Sequence, residues 1–280
     1  MIGPTADCAS SIVESRLGGD KVWSDQQMAR PPQEHSIILA LMSGEKRLYD
    51  AKFYQELEQT RDSARQILPI VIELLHPASV VDVGCGEGHW LSVAQELGIA
   101  DILGIEGEWI SKANPAIPRD KIRIHDLRQP LSMGRSFDLA LALEVAEHLP
   151  AANAKEFVKG LCDAADRVLF SAAVPGQGGR NHVNEQWPQY WADLFGEFGY
   201  ECYDVIRPRI WNNSKVQWYY AQNCLVFSRA GTPPGLGVPT APMSLVHHVA
   251  WLSQLNRWNS PGKILERLPQ AVWSWMRSSE

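Results

Sequence analysis

The stretch that decides the fold is Ser79-Val-Val-Asp82-Val-Gly84-Cys-Gly86-Glu-Gly88. Its β-branched residues predict a short buried strand, and the glycines after it predict a sharp turn into a helix over about 88–97. A turn poor in side chains lets the main chain approach a ligand closely, and the helix N-terminus offers free N–H groups to a negative group. The run therefore predicts a ligand-binding strand–turn–helix unit.

Strand and helix patterns alternate on either side of this unit. Further strands are predicted at 101–106, 121–125, 137–143, 166–171, 200–206 and 221–228, and further helices at 52–75, 151–162 and 185–198. Pro69 is expected to kink the first helix or to open a second one. Arg207 and Arg209 fall between the last two strands, where we expect a solvated loop. The pattern predicts an α/β fold: a seven-stranded, doubly wound, Rossmann-like sheet with an antiparallel edge.

Composition shifts divide the chain into four parts. Residues 1–50 are predicted to be an N-terminal extension, 51–230 the core, 231–242 a linker with seven Gly or Pro, and 243–280 a tryptophan-rich helical tail. Packing of the tail on the parent domain or on a second subunit is the favoured interpretation, so a homodimer through either extension is possible. An amphipathic segment on a membrane face is the alternative.

Charge and cysteine content limit the function classes. The formal net charge is −6, so no nucleic-acid partner is expected, because phosphate contacts need clustered Lys and Arg. The five cysteines form no CxxC pair, which argues against a zinc knuckle and a disulfide framework. With no signal pattern and no transmembrane run, we expect a cytoplasmic protein.

Acidic residues at three successive strand ends indicate the ligand. The turn has GxGxG spacing with Asp82 two residues before it, where a carboxylate can meet an ammonium group. Glu106 ends the second strand and can accept ribose hydroxyls. Asp126 ends the third strand, where a short polar side chain can meet an adenine amino group. Together they describe a nucleoside joined to a charged amino acid rather than to a pyrophosphate.

In these motifs the chain resembles the class I S-adenosylmethionine-dependent methyltransferase family over roughly 54–229. The resemblance implies S-adenosylmethionine (SAM) as cofactor and a helical lid before the first strand. The candidate cofactor residues are Tyr54, Asp82, Gly84, Gly86, Gly88, Glu106, Gly107, Asp126, Leu127 and Glu144. Glu106 departs from the pattern, since Asp is commoner there. The alternatives are a plain tight turn and a nicotinamide dehydrogenase.

Glu144-Val-Ala-Glu147-His148 follows the fourth strand. The favoured interpretation places Glu144 beside the cofactor and gives His148 a loop-holding hydrogen bond. The alternative is a divalent metal site on one helical face formed by Glu144, Glu147 and His148. The segment is similar to one that small-RNA 2′-O-methyltransferases and some ubiquinone-pathway O-methyltransferases use for a metal, but it also occurs in relatives without metal.

The loop after the fifth strand holds the acceptor candidates. His182 is the candidate general base for an alcohol, and Asn184 and Trp187 are candidate substrate contacts. In the alternative, His182 and Asn184 cap the helix that begins near Glu185 or staple the loop to it, and Trp187 belongs to a core stripe with Tyr190 and Trp191.

The sequence therefore predicts a transferase: a methyltransferase of a biosynthetic route that methylates a small molecule, with an oxygen of a sugar or natural-product intermediate as the target. N-methylation remains open, as do transfer or cyclisation of the aminocarboxypropyl arm of SAM. A non-catalytic SAM-binding scaffold is the alternative from another class, although the loop at 176–187 is rich in reactive side chains.

Overall fold

The computed structural model describes residues 51–231, 235–259 and 262, with side chains from residue 59 onward except that of Arg257. Seven strands lie in one sheet: β1 (Ser79–Val83), β2 (Asp101–Glu106), β3 (Ile122–Ile124), β4 (Leu139–Leu143), β5 (Arg167–Ser171), β6 (Tyr200–Tyr203) and β7 (Leu225–Arg229). Their order is β3-β2-β1-β4-β5-β7-β6, and β7 runs antiparallel to both of its neighbours. The predicted doubly wound sheet with an antiparallel edge is confirmed.

Helices cover both faces of the sheet. They are α1 (Ala51–Leu75), α2 (His89–Glu96), α3 (Ala154–Ala164), α4 (Pro188–Glu197), α5 (Arg207–Ile210), α6 (Trp218–Asn223) and α7 (His248–Trp258). Short 3-10 helices occupy Glu108–Lys112, Arg119–Lys121, Ala146–His148 and Ala151–Asn153. None of the helices in the described ranges is long and apolar enough to cross a membrane.

Two apolar layers hold these helices on the sheet. One contains Leu68 of α1, Leu91 of α2 and Tyr220 of α6, and the other contains Phe157 of α3 and Phe195 of α4. Since both faces of the central strands are covered, these strands are nearly continuous in apolar residues. The strand order reverses between β1 and β4, because β2 and β3 lie on one side of β1, and β4 and β5 lie on the other. In sheets of this kind the reversal opens a crevice at the carboxyl ends of the two strands.

Three local predictions differ from the structure. Helix α1 continues through Pro69, and Leu68 before it and Val71 after it pack in the same apolar layer. The strand predicted at 221–228 begins only at Leu225, since residues before it form α6. The segment with Arg207 is α5 rather than a solvated loop. The Arg207 guanidinium is 1% exposed and pairs with the Asp204 carboxylate, with Nε–Oδ1 2.8 Å apart.

The predicted N-terminal extension at 1–50 lies outside the described residues. In the predicted linker, Leu236 is 3% exposed and packs in the layer that contains α1. In the predicted tail, His247 at the N-cap of α7 lies 2.9 Å from the Trp211 carbonyl oxygen through Nε2, and Ala250 of α7 is buried.

Candidate active site

The glycine turn after β1 is shaped by positive backbone torsions. Gly84, Gly86 and Gly88 have φ values of 81°, 55° and 82°, a region that side chains disfavour. A Cβ at Gly84 would lie 2.5 Å from Cγ2 of Val145, so the turn packs directly on the chain after β4. A Cβ at Gly86 would meet no atom of the described residues within 4 Å. Main chain at Gly86 therefore faces open space where a ligand can approach.

Asp82 lies on β1 just below this turn. Its side chain is 2% exposed, and within the described ranges Oδ2 has no hydrogen-bond partner. Burial, with a smaller contribution from the Glu106 carboxylate, raises the pKa of Asp82 to about 8. A buried carboxyl without a partner is costly unless a cationic or hydrogen-bonding group arrives. The geometry suits the ammonium group expected from the sequence.

Glu106 ends β2 and is held by three donors. Its Oε2 accepts the Gly86 N–H at 2.7 Å, and its Oε1 accepts the Gly107 N–H at 2.7 Å and the Trp109 indole N–H at 3.0 Å. A carboxylate offers about four acceptor positions, so roughly one remains on Oε2. Trp109 is 52% exposed and was missed by sequence reasoning, although its position three residues after Glu106 was a usable signal.

Asp126 and Leu127 lie beside Glu106 and Gly107 in one pocket of about 450 Å³. The Arg128 guanidinium holds the Asp126 carboxylate, with Nε–Oδ1 at 2.9 Å and Nη2–Oδ2 at 2.7 Å. This pairing lowers the pKa of Asp126 to about 2. The structure thus brings the second and third strand ends together.

The helical lid is described in part. Tyr54 belongs to α1, but its side chain lies outside the described residues. Arg61 is described and pairs with Glu96 of α2, so α1 is fastened to the helix that follows the glycine turn.

Glu144 follows β4 with φ 56°, a left-handed conformation that non-glycine residues seldom adopt. Its Oε1 accepts the Asn223 Nδ2 at 3.0 Å, and its Oε2 accepts the Gln177 Nε2 at 2.8 Å. Gln222 Nε2 donates to Gln177 Oε1 at 3.1 Å. Sequence reasoning missed this amide network, because its members come from α6 and from the loop after β5.

Glu147 and His148 lie on the 3-10 helix Ala146–His148, which Glu144 precedes. The predicted single helical face of Glu144, Glu147 and His148 is therefore wrong, since the positive φ at Glu144 breaks the helical path. A different trio converges instead. Ligand atoms of Glu147, His148 and His182 all lie within 4.8 Å of one another.

The Glu147 side chain is fully buried. No donor among the described residues makes a well-formed hydrogen bond to either carboxylate oxygen, and the nearest polar groups are the backbone N–H groups of Glu147 and Ala173 and the Glu144 carboxyl. Burial, with a contribution from Glu144, raises the pKa of Glu147 to about 9. Burial and the nearby His182 also lower the pKa of His148. Among the described residues, no Lys or Arg side chain forms an ion pair with the Glu147 carboxylate.

Both imidazoles are oriented through Nδ1. His148 Nδ1 lies 3.3 Å from the Asn181 carbonyl oxygen, and His182 Nδ1 lies 2.9 Å from Glu185 Oε1. The rings meet edge to face, with centroids 4.9 Å apart. If each Nδ1 carries the proton, each Nε2 presents a lone pair.

Glu185 holds the loop after β5 in place through hydrogen bonds to its main chain. Its Oε2 accepts the Gly176 N–H and its Oε1 accepts the Gly178 N–H, both at 2.8 Å. A Cβ at Gly179 would lie 2.1 Å from His182 Nε2, so only a glycine main chain fits beside this nitrogen.

The other two acceptor candidates have different surroundings. Asn184 is 3% exposed, donates its N–H to the Glu147 carbonyl at 3.0 Å, and leaves its Nδ2 without a partner. Helix α4 begins at Pro188 with Trp187 at the N-cap and no side-chain cap, so neither His182 nor Asn184 caps it. The hydrogen bond between His182 and Glu185 instead agrees with the part of the sequence-based alternative in which His182 holds the loop in place. Trp187 is 40% exposed, whereas Trp191 is in the core.

A sheet of this order with a glycine turn and acids at the ends of β1 and β2 defines a class I SAM-dependent methyltransferase. A family model described as a methyltransferase domain matches residues 54–205, more than half of the chain. The chain belongs to this methyltransferase family, and SAM is its cofactor. No curated protein matches its sequence.

Several solved structures are similar at low identity. The methyltransferase domain of a bacterial Hen1 is 20% identical over 62% of this chain and 98% of that one, with a TM-score of 0.44. An amino pentose methyltransferase from Micromonospora echinaspora is 15% identical over 66% and 99%, with a TM-score of 0.48. Magnesium protoporphyrin IX methyltransferase from Synechocystis PCC 6803 is 20% identical over 70% and 94%, with a TM-score of 0.43.

Proposed function

We propose that this enzyme methylates an oxygen of a small-molecule acceptor, and that Glu147, His148 and His182 hold a divalent metal that binds this oxygen. The observation that carries the proposal is the convergence of the buried Glu147 carboxylate with two imidazoles, at a place where no cationic side chain of the described residues pairs with that carboxylate. A cytoplasmic location is part of the proposal. It is supported by the four cysteines of the described ranges, which are buried free thiols, as expected in a reducing compartment.

The donor set fits a divalent metal. One carboxylate and two imidazoles are common ligands of such ions, and an open position would remain for the acceptor. Metal-bound imidazoles usually donate their other N–H to a carbonyl or carboxylate, which fixes the ring. Asn181 and Glu185 supply those two acceptors here.

The chemistry requires a poised methyl group and a deprotonated acceptor. Bound SAM supplies an electrophilic methyl on a sulfonium, and a bound divalent metal lowers the pKa of a coordinated hydroxyl. Asp82 is assigned to the ammonium of SAM and Glu106 to its ribose. Glu144, held by Gln177 and Asn223, lines the crevice between the cofactor and the acceptor. The main task of these residues is to hold the two reacting atoms in line in a dry site.

A second candidate needs no metal. In this mechanism His182 acts as the general base, because its hydrogen bond to Glu185 fixes the ring and leaves Nε2 to accept the hydroxyl proton. It is the sequence-based prediction for His182 and has the same geometric support. N-methylation and reactions at the aminocarboxypropyl arm keep the cofactor assignments. They do not explain why Glu147, His148 and His182 converge.

Metal titration separates the two mechanisms. Calorimetry with Mn²⁺ on the chelator-treated protein is expected to show one site, lost in Glu147→Gln and in His182→Ala and retained in the control variant His76→Asn. Circular dichroism checks that each variant is folded. Transfer of labelled methyl from SAM to a panel of small alcohols and amines is expected to require metal. Turnover that survives chelation but is lost in His182→Ala would instead support the general-base mechanism, and no Mn²⁺ binding would refute the metal site.

A further inference from the structure

The described part of the C-terminal tail builds an apolar pocket beside the acceptor loop. The pocket has a volume of about 370 Å³. Pro175, Gly176 and Gln177 form one wall, and Trp251, Leu255 and Trp258 of α7 form the other. Gln254 of α7 donates to the Gly176 carbonyl, so helix and loop are fastened together.

The α7 wall exposes more apolar surface than packing on the core requires. Trp251 and Trp258 are 58% and 56% exposed, and Leu255 is 38% exposed. The three positions share one helical stripe, which spans about 10 Å at 1.5 Å per residue. Exposed apolar side chains gathered along the wall of a pocket are a feature of ligand-binding grooves.

The pocket shares two side chains with the amide network around Glu144. Gln177 forms part of its wall and donates to Glu144 at 2.8 Å. Gln222 lines the same pocket and donates to Gln177. The polar end of the pocket is therefore one side chain away from Glu144, whereas its apolar wall extends along α7 toward solvent.

We propose that this pocket binds a linear hydrocarbon chain of the acceptor, so that the substrate is an amphiphile whose reacting oxygen lies at the Glu147 trio. The length of the stripe favours a chain over a compact ring, because a ring would leave one end of the stripe uncovered. The inference rests on the proposed function for the position of the reacting oxygen. Chain binding itself requires neither metal nor turnover.

The probes are hexanoate, octanoate and decanoate, titrated by calorimetry below their micelle concentrations into the full chain without metal or SAM. Affinity is expected to rise up to about fourfold per methylene, from roughly 0.8 kcal/mol per buried CH₂. The double variant Trp251→Ser/Leu255→Ser is expected to lose this binding. Leu252→Ser is the matched control, because Leu252 is 54% exposed on the same helix but does not line the pocket.

Equal affinity along the series, or binding that persists in the double variant, would overturn the proposal. Two other occupants give distinct results. Binding to phosphatidylcholine vesicles that Leu252→Ser weakens as much as the double variant does, without binding of the free chains, would identify a membrane-facing surface. A concentration-dependent dimer that the double variant dissociates would identify a second copy of this chain. Chain binding without Mn²⁺ binding would retain the pocket and refute only the metal.

Discussion

Replacing Asp82 by Asn tests the cofactor pocket through stability and affinity together. Asp82 is buried, and its pKa rises from an ordinary 3.8 to about 8 in the folded protein. Because the folded-state pKa is raised, this group favours folding least at high pH. Its stability penalty is absent below pH 3.8 and grows as the pH rises toward 8.

The size of the penalty follows from the two pKa values. Each pH unit between them costs about 1.4 kcal/mol, so at pH 7 the ionisable carboxyl costs the empty protein up to about 4 kcal/mol. A buried Asn amide without partners itself destabilises the folded protein by about 1–3 kcal/mol, which offsets part of this gain. Asp82→Asn is therefore expected to stabilise the SAM-free protein at pH 7 by about 1–3 kcal/mol, which corresponds to a Tm rise of roughly 2–10 °C.

The same substitution is expected to weaken SAM binding. Loss of a charged hydrogen bond to the ammonium costs about 1.5–3 kcal/mol, or roughly 10- to 100-fold in Kd. Differential scanning fluorimetry from pH 4 to 8 gives the Tm difference, and calorimetry gives Kd. Asp138→Asn is the control, and it is expected to lower Tm rather than raise it. The reason is that the Asp138 carboxylate accepts the N–H groups of Ala78 and Ser79.

An Asp82→Asn protein that is less stable than the wild type at pH 7 would refute the argument about burial. Unchanged SAM affinity in the same protein would remove Asp82 from the cofactor site. A Tm difference that shrinks as the pH rises would contradict the sign of the linkage.

Three further outcomes are expected. Gly84→Ala places a Cβ against Val145 at a positive φ. Urea denaturation is therefore expected to show that the free energy of unfolding falls by about 2–4 kcal/mol, and calorimetry is expected to show weaker SAM binding. Wild-type values would mean that the turn adapts. Arg207→Met removes one partner of a buried ion pair, so the free energy of unfolding measured in urea is expected to fall by about 3–5 kcal/mol. SAM affinity is expected to be retained if the folded state persists. A loss below about 1 kcal/mol would contradict the structural role. Trp109→Phe removes a donor to Glu106 and is expected to change Kd for SAM by less than about tenfold by calorimetry, and a larger loss would make the indole a main cofactor contact.

Much of the sheet could be predicted from sequence, because its central strands are short apolar runs and each run is bounded by turn residues. The prediction for 101–106 matches β2 residue for residue. The strand predicted at 221–228 was too long at its start, because the buried residues before Leu225 belong to the short helix α6. Hydrophobic periodicity does not separate a buried helix from a buried strand over so few residues.

The candidate site was predictable where its residues are close in sequence. Asp82, Gly86 and Glu106 follow from strand ends that meet at one edge of a parallel sheet. The convergence of His182 on Glu147 could not be predicted, because it depends on the path of a loop and on the positive φ of Glu144. The amide network of Gln177 and Asn223 was likewise hidden, since neutral amides carry no sequence pattern of their own.

The Glu185 carboxylate has a consequence for how such an enzyme can change its preferences. It ties the Gly176 and Gly178 amides to the His182 ring, so the shape of the loop and the direction of the imidazole cannot vary separately. Substitutions in this loop are therefore expected to lower both the stability of the folded protein and its methyl-transfer activity. Selection for new acceptors is expected to act instead on α7, where Trp251, Leu255 and Trp258 can be exchanged while the reaction centre stays intact.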